Sequence, residues 1–294
     1  MRYEMPYLIA EIGINHNGHL ENVFKLIDQA VEAGWNMVKF QKRDPDICVP
    51  ESQKNNIKTW EGQQMTYLEY KKKIEFGLEE YKQINQYCKK KGIEWTVSVW
   101  DIPSAQFMMN NFKNDIPFIK IPSACITNIK LLNYFNINHP DMPLLISDGM
   151  SDIFELRTAI VTIKNLYGVL HCNSSYPANT KELDISFIGE LKKSLDSEYD
   201  QGFFDRYPIV GYSGHDTTLL SCSLATACGA RVIEKHITLD QTMEGTDHSC
   251  SLQLYGMKAL KEALQNTIDI LGYPSLKCYP SEIEIKKKLR GENK

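Results

Sequence analysis

Short apolar, β-branched runs recur eight times along this chain: Tyr7–Ile12, Met37–Gln41, Glu94–Val99, Phe118–Ile121, Leu144–Ser147, Val169–Cys172, Ile209–Ser213 and Val232–His236. Amphipathic helical patterns fall between them. Val23, Ile27 and Ala30 share one helical face, and Leu78, Tyr81, Ile84 and Tyr87/Cys88 share another. Leu131, Leu132 and Phe135 mark a third, Leu219 to Cys228 reads as a small-residue helix, and a last helix runs from about Leu252 to Leu271. Strands alternating with helices imply parallel βαβ units. Runs this apolar suit strands covered on both faces. Eight such units close into an α/β fold of the (β/α)8 TIM-barrel type, for which about 250 residues suffice. An open doubly wound sheet is the alternative. Against it, the first strand runs into the polar Glu11-Ile12-Gly13-Ile14-Asn15-His16-Asn17-Gly18 and not into GxGxxG.

Composition narrows the class further. Of the 294 residues, 43% are hydrophobic and 24% charged, which excludes disordered and collagenous chains. The 33 Lys+Arg against 37 Asp+Glu leave a net charge of −4, where a nucleic-acid binder usually carries a basic face. The N-terminus lacks the apolar core of a signal peptide, and no apolar run approaches the roughly 20 residues of a membrane span. The eight cysteines form no CxxC pair, which argues against zinc-ribbon and thioredoxin-like motifs. Dispersed thiols without a signal point to a reduced, cytoplasmic setting. The expectation is one barrel over residues 1–275 and a charged tail over 276–294. Residues 42–73 form one long excursion after the second strand, and loops of that length are usually functional or disordered.

In a barrel the chemistry sits at the C-terminal ends of the strands. Strand one ends at Glu11, strand two carries Lys39 and Gln41, and strand four carries Lys120 and then Ser123. Ser147-Asp148-Gly149 ends strand five, and Cys172-Asn173-Ser174-Ser175-Tyr176 ends strand six. Ser213-Gly214-His215-Asp216 and Glu234-Lys235-His236 close the last two. Polar groups thus mark seven of the eight ends, strand three being the exception. An unpaired buried Lys is costly. Lys39 and Lys120 therefore imply either an ion pair, for example with Glu11 or Glu234, or an anion site. Ser123, Ser147, Ser174 and Ser213 could add hydroxyls to such a site. His215 and His236 lie 21 residues apart, so they reach adjacent strand ends and can share a metal. An open Mn²⁺- or Mg²⁺-like site fits two imidazoles completed by oxygen ligands. Satisfied structural histidines are the bland alternative. The loop containing Asp240, Glu244 and Asp247 suits a hydroxyl-rich ligand.

Six of these segments, in order, resemble the sialic acid synthase family. They are Ala10-Glu11-Ile12-Gly13-Ile14-Asn15-His16-Asn17-Gly18, Val38-Lys39-Phe40-Gln41, Lys120-Ile121-Pro122-Ser123, Ser147-Asp148-Gly149-Met150, Gly211-Tyr212-Ser213-Gly214-His215 and Glu234-Lys235-His236. The resemblance covers essentially the whole chain. It implies condensation of phosphoenolpyruvate with an N-acetylated amino sugar, giving a nine-carbon 2-keto acid and phosphate. By matching positions it implies His215 and His236 as ligands of Mn²⁺ or Mg²⁺. It assigns Lys39, Lys120, Ser123, Ser147, Ser174 and Ser213 to phosphoenolpyruvate. Glu11, Gln41, Tyr176, Glu234 and Asp247 would face the sugar, with Glu11, Glu234, His215 and His236 as the catalytic set, and a homodimer is expected. Three departures stand out: Ala124-Cys125 replaces the usual Gly-Glu, Asp148 the usual Thr, and Ser174 a frequent Asn. The family's small antifreeze-like capping domain is expected to be absent, since about 20 residues follow the last helix. Two other readings remain for the residues themselves: a metal-dependent pyruvate aldolase on the same barrel, and a non-catalytic sugar-binding barrel.

Overall fold

A computed structural model describes residues 3–202 and 207–290. The readings of the first two residues and of the closing Gly-Glu-Asn-Lys therefore lie outside the described residues. In chain order the first elements are β1 (Tyr7–Gly13), α1 (Leu20–Glu32), β2 (Met37–Lys42), α2 (Pro45–Cys48), β3 (Ile57–Trp60), β4 (Gln63–Thr66), α3 (Tyr67–Ile74) and α4 (Leu78–Lys91). There follow β5 (Glu94–Val99), α5 (Ile102–Phe112), β6 (Ile119–Ile121), α6 (Ile129–Asn138), β7 (Leu144–Ser147) and α7 (Ile153–Thr162). The rest are β8 (Leu166–His171), α8 (Phe187–Asp200), β9 (Ile209–Gly214), α9 (Leu220–Ala227), β10 (Val232–His236), α10 (Leu254–Leu271) and α11 (Pro280–Arg290). Eight strands close in the order β1-β10-β9-β8-β7-β6-β5-β2, and every barrel pairing is parallel. The expected (β/α)8 barrel is the observed one. Among the described residues no helix is long and apolar enough to cross a membrane.

The helices form where their apolar faces need covering. Val23, Leu26, Ile27 and Ala30 make the buried stripe of α1. Asp101 opens α5 by accepting a hydrogen bond from the Ser104 N–H, and Asp152 with Glu155 makes a reciprocal cap on α7. α11 occupies part of the expected tail, and all its side chains are exposed.

The barrel strands alternate with period two, and this builds two separate layers. Outward residues such as Ala10, Val38, Ile119, Ile146 and Val169 join the helices in the main core. Inward, Ile9, Met37, Phe118, Leu145, Leu170 and Val232 form a separate buried cluster inside the barrel. Two residues further along the same inward rows stand Glu11, Lys39, Lys120, Ser147, Cys172 and Glu234. An apolar floor thus lies directly beneath a polar layer.

The excursion after β2 is an ordered module, which corrects the reading of it as a plain loop. It holds α2, the antiparallel β3–β4 pair and α3. Ile14, Trp60, Tyr70 and Ile74 give it a small core of its own. The hairpin tip reaches the barrel mouth, where Glu61 accepts from His19 at 2.7 Å and the Glu61 N–H donates to Glu244 at 3.3 Å.

Candidate active site

A cleft of about 560 Å³ opens at the C-terminal ends of the barrel strands. Twelve of the residues that the family resemblance assigned line it: Glu11, Lys39, Gln41, Lys120, Ser123, Ser147, Ser174, Tyr176, Ser213, His215, Glu234 and His236; Asp247, and the loop residues Asp240 and Glu244, do not. Asp247 stands behind the wall, its Oδ2 3.9 Å from His236 Nδ1.

Strand register brings the charges together. Glu11 pairs across β1–β2 with Lys39, and Glu234 pairs across β10–β9 with Ser213. Lys39 Nζ lies 2.7 Å from Glu11 and 3.7 Å from Glu234, and it donates to Ser98 Oγ at 2.7 Å. Gln41 donates to the other Glu11 oxygen at 3.0 Å, and Ser213 donates to Glu234 at 3.0 Å. The ion pair weighed for Lys39 is therefore real. Lys120 differs: its ammonium donates to the Ser147 hydroxyl, and among the described residues it forms no ion pair within 4 Å.

The two lysines titrate in opposite directions. Burial lowers the Lys39 pKa, and the Glu11 and Glu234 carboxylates more than reverse this, so it ends raised. Burial lowers the Lys120 pKa, and nearby Glu234 only partly offsets that. The carboxylates are also pushed apart. Burial raises Glu11 despite Lys39. Burial alone would raise Glu234 too, but Lys120 and Lys39 together hold it low, at about 2. Two carboxyls with opposed shifts are what acid–base chemistry requires.

Beside Lys120 the chain makes a hydroxyl-rich collar. Ser123 Oγ lies 3.2 Å from Cys172 Sγ, and Ser174 Oγ lies 3.9 Å from the same sulfur. They close around the backbone of Gly149, where an added Cβ would stand 2.2 Å from Ser174 Oγ and 2.8 Å from Ser123 Oγ. A side chain there would have to push those groups aside.

Across the cleft the two predicted histidines meet, with ring centroids 5.5 Å apart. His215 Nδ1 donates to the Asn173 carbonyl at 2.5 Å. That fixes Nε2 as the lone-pair nitrogen, which accepts from the Tyr176 hydroxyl at 3.1 Å. Burial, with His236 alongside, holds His215 at about 3, so the ring is neutral. His236 Nδ1 is buried without a hydrogen-bond partner. Two imidazoles lining one cleft, one with an orphaned buried nitrogen, form a donor set that fits a divalent ion. No larger group of His, Cys, Asp and Glu side chains suited to a metal occurs among the described residues.

Some functional positions escaped the sequence. Ser98 fills the strand-three gap by accepting from Lys39, and Trp100 and Cys172 also line the cleft. The alternation Thr96-Val97-Ser98 was the available signal for Ser98. Two of the departures resolve locally. Cys125 turns away, its thiol donating to the Trp100 carbonyl at 3.3 Å. Asp148 accepts from His171 Nδ1 at 2.9 Å and from the Cys172 N–H at 2.9 Å.

A closed parallel barrel with its charged and hydroxyl side chains gathered at one mouth defines a (β/α)8-barrel enzyme. The chain belongs to the NeuB family, whose model matches residues 26–275. It is 34% identical over 294 residues to the N-acetylneuraminate-9-phosphate synthase of Drosophila melanogaster, covering 97% of this chain and 73% of that protein. It is 32% identical over 299 residues to the N,N'-diacetyllegionaminic acid synthase of Legionella pneumophila, covering 97% of this chain and 78% of that protein. The crystal structure of N-acetylneuraminic acid synthetase from Leptospira borgpetersenii superposes with a TM-score of 0.78 at 28% identity, covering 99% of this chain and 94% of that one. The chain is an enzyme of this synthase family, a transferase by class.

Proposed function

We propose that the chain condenses phosphoenolpyruvate with an N-acetylated amino sugar, N-acetylmannosamine or a 2,4-diacetamido relative. The products are a nine-carbon sialic-acid-type 2-keto acid and inorganic phosphate. The observation that carries this reading is the pair of buried ammoniums, Lys39 and Lys120, set among hydroxyls in one cleft. A ligand with a phosphate and a carboxylate close together needs two cations, whereas pyruvate alone does not. The kinship to synthases of such acids supports the same reading.

Lys120, Ser147 and the collar of Ser123 and Ser174 would hold one anionic group of phosphoenolpyruvate, and Lys39 with Ser213 the other. Held this way, the methylene carbon of phosphoenolpyruvate is aimed at the sugar aldehyde, leaving its oxygen-bearing enol carbon open to water, and orientation alone supplies much of the rate. The carbon–carbon bond forms as the enol pair attacks the aldehyde, whose oxygen takes up a proton. Glu11, whose pKa burial raises, is the group we assign to pass that proton. Water then adds to the former enol carbon, with anionic Glu234 suited to take its proton. The bond from that carbon to the phosphate oxygen breaks and phosphate leaves. Gln41, Tyr176 and Asp247 would face the sugar. His215 Nε2 and His236 Nδ1 would hold Mn²⁺ or Mg²⁺, which when bound supplies Lewis-acid polarisation of the aldehyde. A homodimer in the cytoplasm belongs to the same reading.

The test is phosphate release across a panel of amino sugars, with product mass and a chelated control. Release is expected only with both a sugar and the divalent ion. Absence of sugar-dependent release with every acceptor overturns the reading.

A further inference from the structure

Two residues beside the hydroxyl collar stand just outside the catalytic cleft. Asp148 follows β7 and His171 ends β8. Both line a second groove, which shares Met150, Cys172 and Ser174 with the cleft. His171 Nε2 lies 2.9 Å from the Leu183 carbonyl oxygen, and its Nδ1 lies 2.9 Å from Asp148 Oδ2. A carbonyl only accepts, and so does an ionised carboxylate. Both ring nitrogens therefore donate, and the ring is an imidazolium.

The surroundings favour that charge. Asp184, from the segment before α8, adds to Asp148, and Asp152, Glu182 and Glu190 line the same groove. Among the described residues no Lys or Arg lines it. From α8 the ring meets the apolar Phe187, at 5.3 Å. On β9 its register partner is Tyr212, whose hydroxyl is taken by Asp216. Burial alone would lower the ring's pKa. The bond to Asp148 and its charge, with the Leu183 carbonyl and Asp184, more than reverse this, so it ends raised.

The pair reaches the collar through the backbone. Asp148 Oδ1 accepts from the Cys172 N–H at 2.9 Å. The Asp148 N–H donates to the Leu170 carbonyl at 3.1 Å, and the Ser151 N–H donates to the Asp148 carbonyl at 3.2 Å. Gly149 is the next residue, and Ser123, Cys172 and Ser174 close around it. Met150 follows at φ 61°, a left-handed conformation that a non-glycine residue keeps only when its surroundings hold it. A neutral ring carries one N–H, so it would leave either Asp148 or Leu183 facing a lone pair. We propose that Asp148 and His171 are positioning residues that latch the collar: a charged His171 holds the Gly149 turn against Ser123 and Ser174, and a neutral one loosens their grip on phosphoenolpyruvate. This rests on the condensation proposed above. The device belongs to this chain's Asp148, which stands where the resemblance gives Thr as the usual residue. A hydroxyl donates or accepts and so needs no charged ring.

The experiment reads the ring and the substrate separately. Histidine-ring ¹⁵N spectra of the full chain, assigned with His171→Gln, are expected to show both His171 nitrogens protonated at about pH 6.5, where an unperturbed ring is half titrated. Asp148→Asn should bring that midpoint down. An Asn amide still accepts from the Cys172 N–H and can donate to a neutral ring, so this variant needs no charge on His171. KM for phosphoenolpyruvate and kcat are then followed against pH at saturating acceptor and divalent ion. The wild-type KM is expected to rise about tenfold relative to Asp148→Asn as pH passes the His171 midpoint, with the kcat ratio unchanged. Titrations of Glu11, Glu234, Lys120 and the substrate itself are common to both enzymes and cancel in that ratio. Asp148→Thr is the second variant and is expected to behave as Asp148→Asn does. A KM ratio that stays flat with pH, as a merely structural pair would give, overturns the latch and leaves the condensation standing. A His171 ring that titrates at or below its ordinary value does the same. No phosphate release with any acceptor overturns the condensation and the latch with it.

Discussion

Lys39 and Lys120 could each be singled out from the sequence as a cation inside an apolar run, but their different situations could not. Which lysine meets a carboxylate depends on strand neighbours: β2 lies beside β1, which carries Glu11, while β6 lies beside β7, which offers Ser147. Spacing along one chain does not contain that information. His16 illustrates the reverse. Within the motif after the first strand it had no role of its own, yet it stacks on Phe76 at 4.2 Å and its Nδ1 accepts from the Gly18 N–H at 3.0 Å. Burial drives its pKa down to about 3. The unfolded chain therefore protonates this ring below its ordinary value of about 6.5, while the folded state resists until about 3. His16 thus contributes its full stability above the unfolded value and loses it progressively as pH falls through that window. His16→Gln is expected to be less stable than wild type at pH 7. The gap should narrow by up to about 1.4 kcal/mol per pH unit below about 6.5, as measured by urea unfolding at several pH values. A gap constant from pH 7 to pH 4 would contradict the assignment.

At the scale of elements, the eight barrel strands and the helices α1, α4, α6, α9 and α10 were legible because each carries its own period, whereas α5, α7 and α8 were not read. The module after β2 was not legible either. Its hairpin turns through Glu61 and Gly62, both with positive φ, 49° and 75°, and a Glu-Gly pair is a weaker turn signal than Asn-Gly. Its core joins Trp60 to Tyr70, ring centroids 4.7 Å apart, and to Ile14 from the loop after β1. No local window holds those partners together. Because this small core is separate from the main one, it should open separately. Trp60→Ala removes a side chain of the kind whose loss costs about 3–5 kcal/mol. Amides of residues 57–74 are then expected to lose at least about 100-fold of their hydrogen-exchange protection, with the barrel strands keeping theirs. Uniform loss across the molecule would refute an independent module.

At the scale of the whole molecule, the closed sheet turns a set of strand ends into a ring, which is why scattered residues from Glu11 to His236 reach one cleft. Closure also sets direction. With Ile9, Met37, Phe118, Leu145, Leu170 and Val232 sealing the space beneath the charges, the cleft is a cul-de-sac, and anything seated at its depth is trapped behind whatever follows. Architecture then becomes a timetable. Under the function proposed above, phosphoenolpyruvate held against Lys39 and Lys120 near that floor would have to arrive before the sugar. A non-reacting acceptor analogue should accordingly inhibit uncompetitively against phosphoenolpyruvate, and a competitive or mixed pattern in initial-rate kinetics would break the order. The greasy plug of the barrel, without taking part in the chemistry, would thus decide which substrate waits.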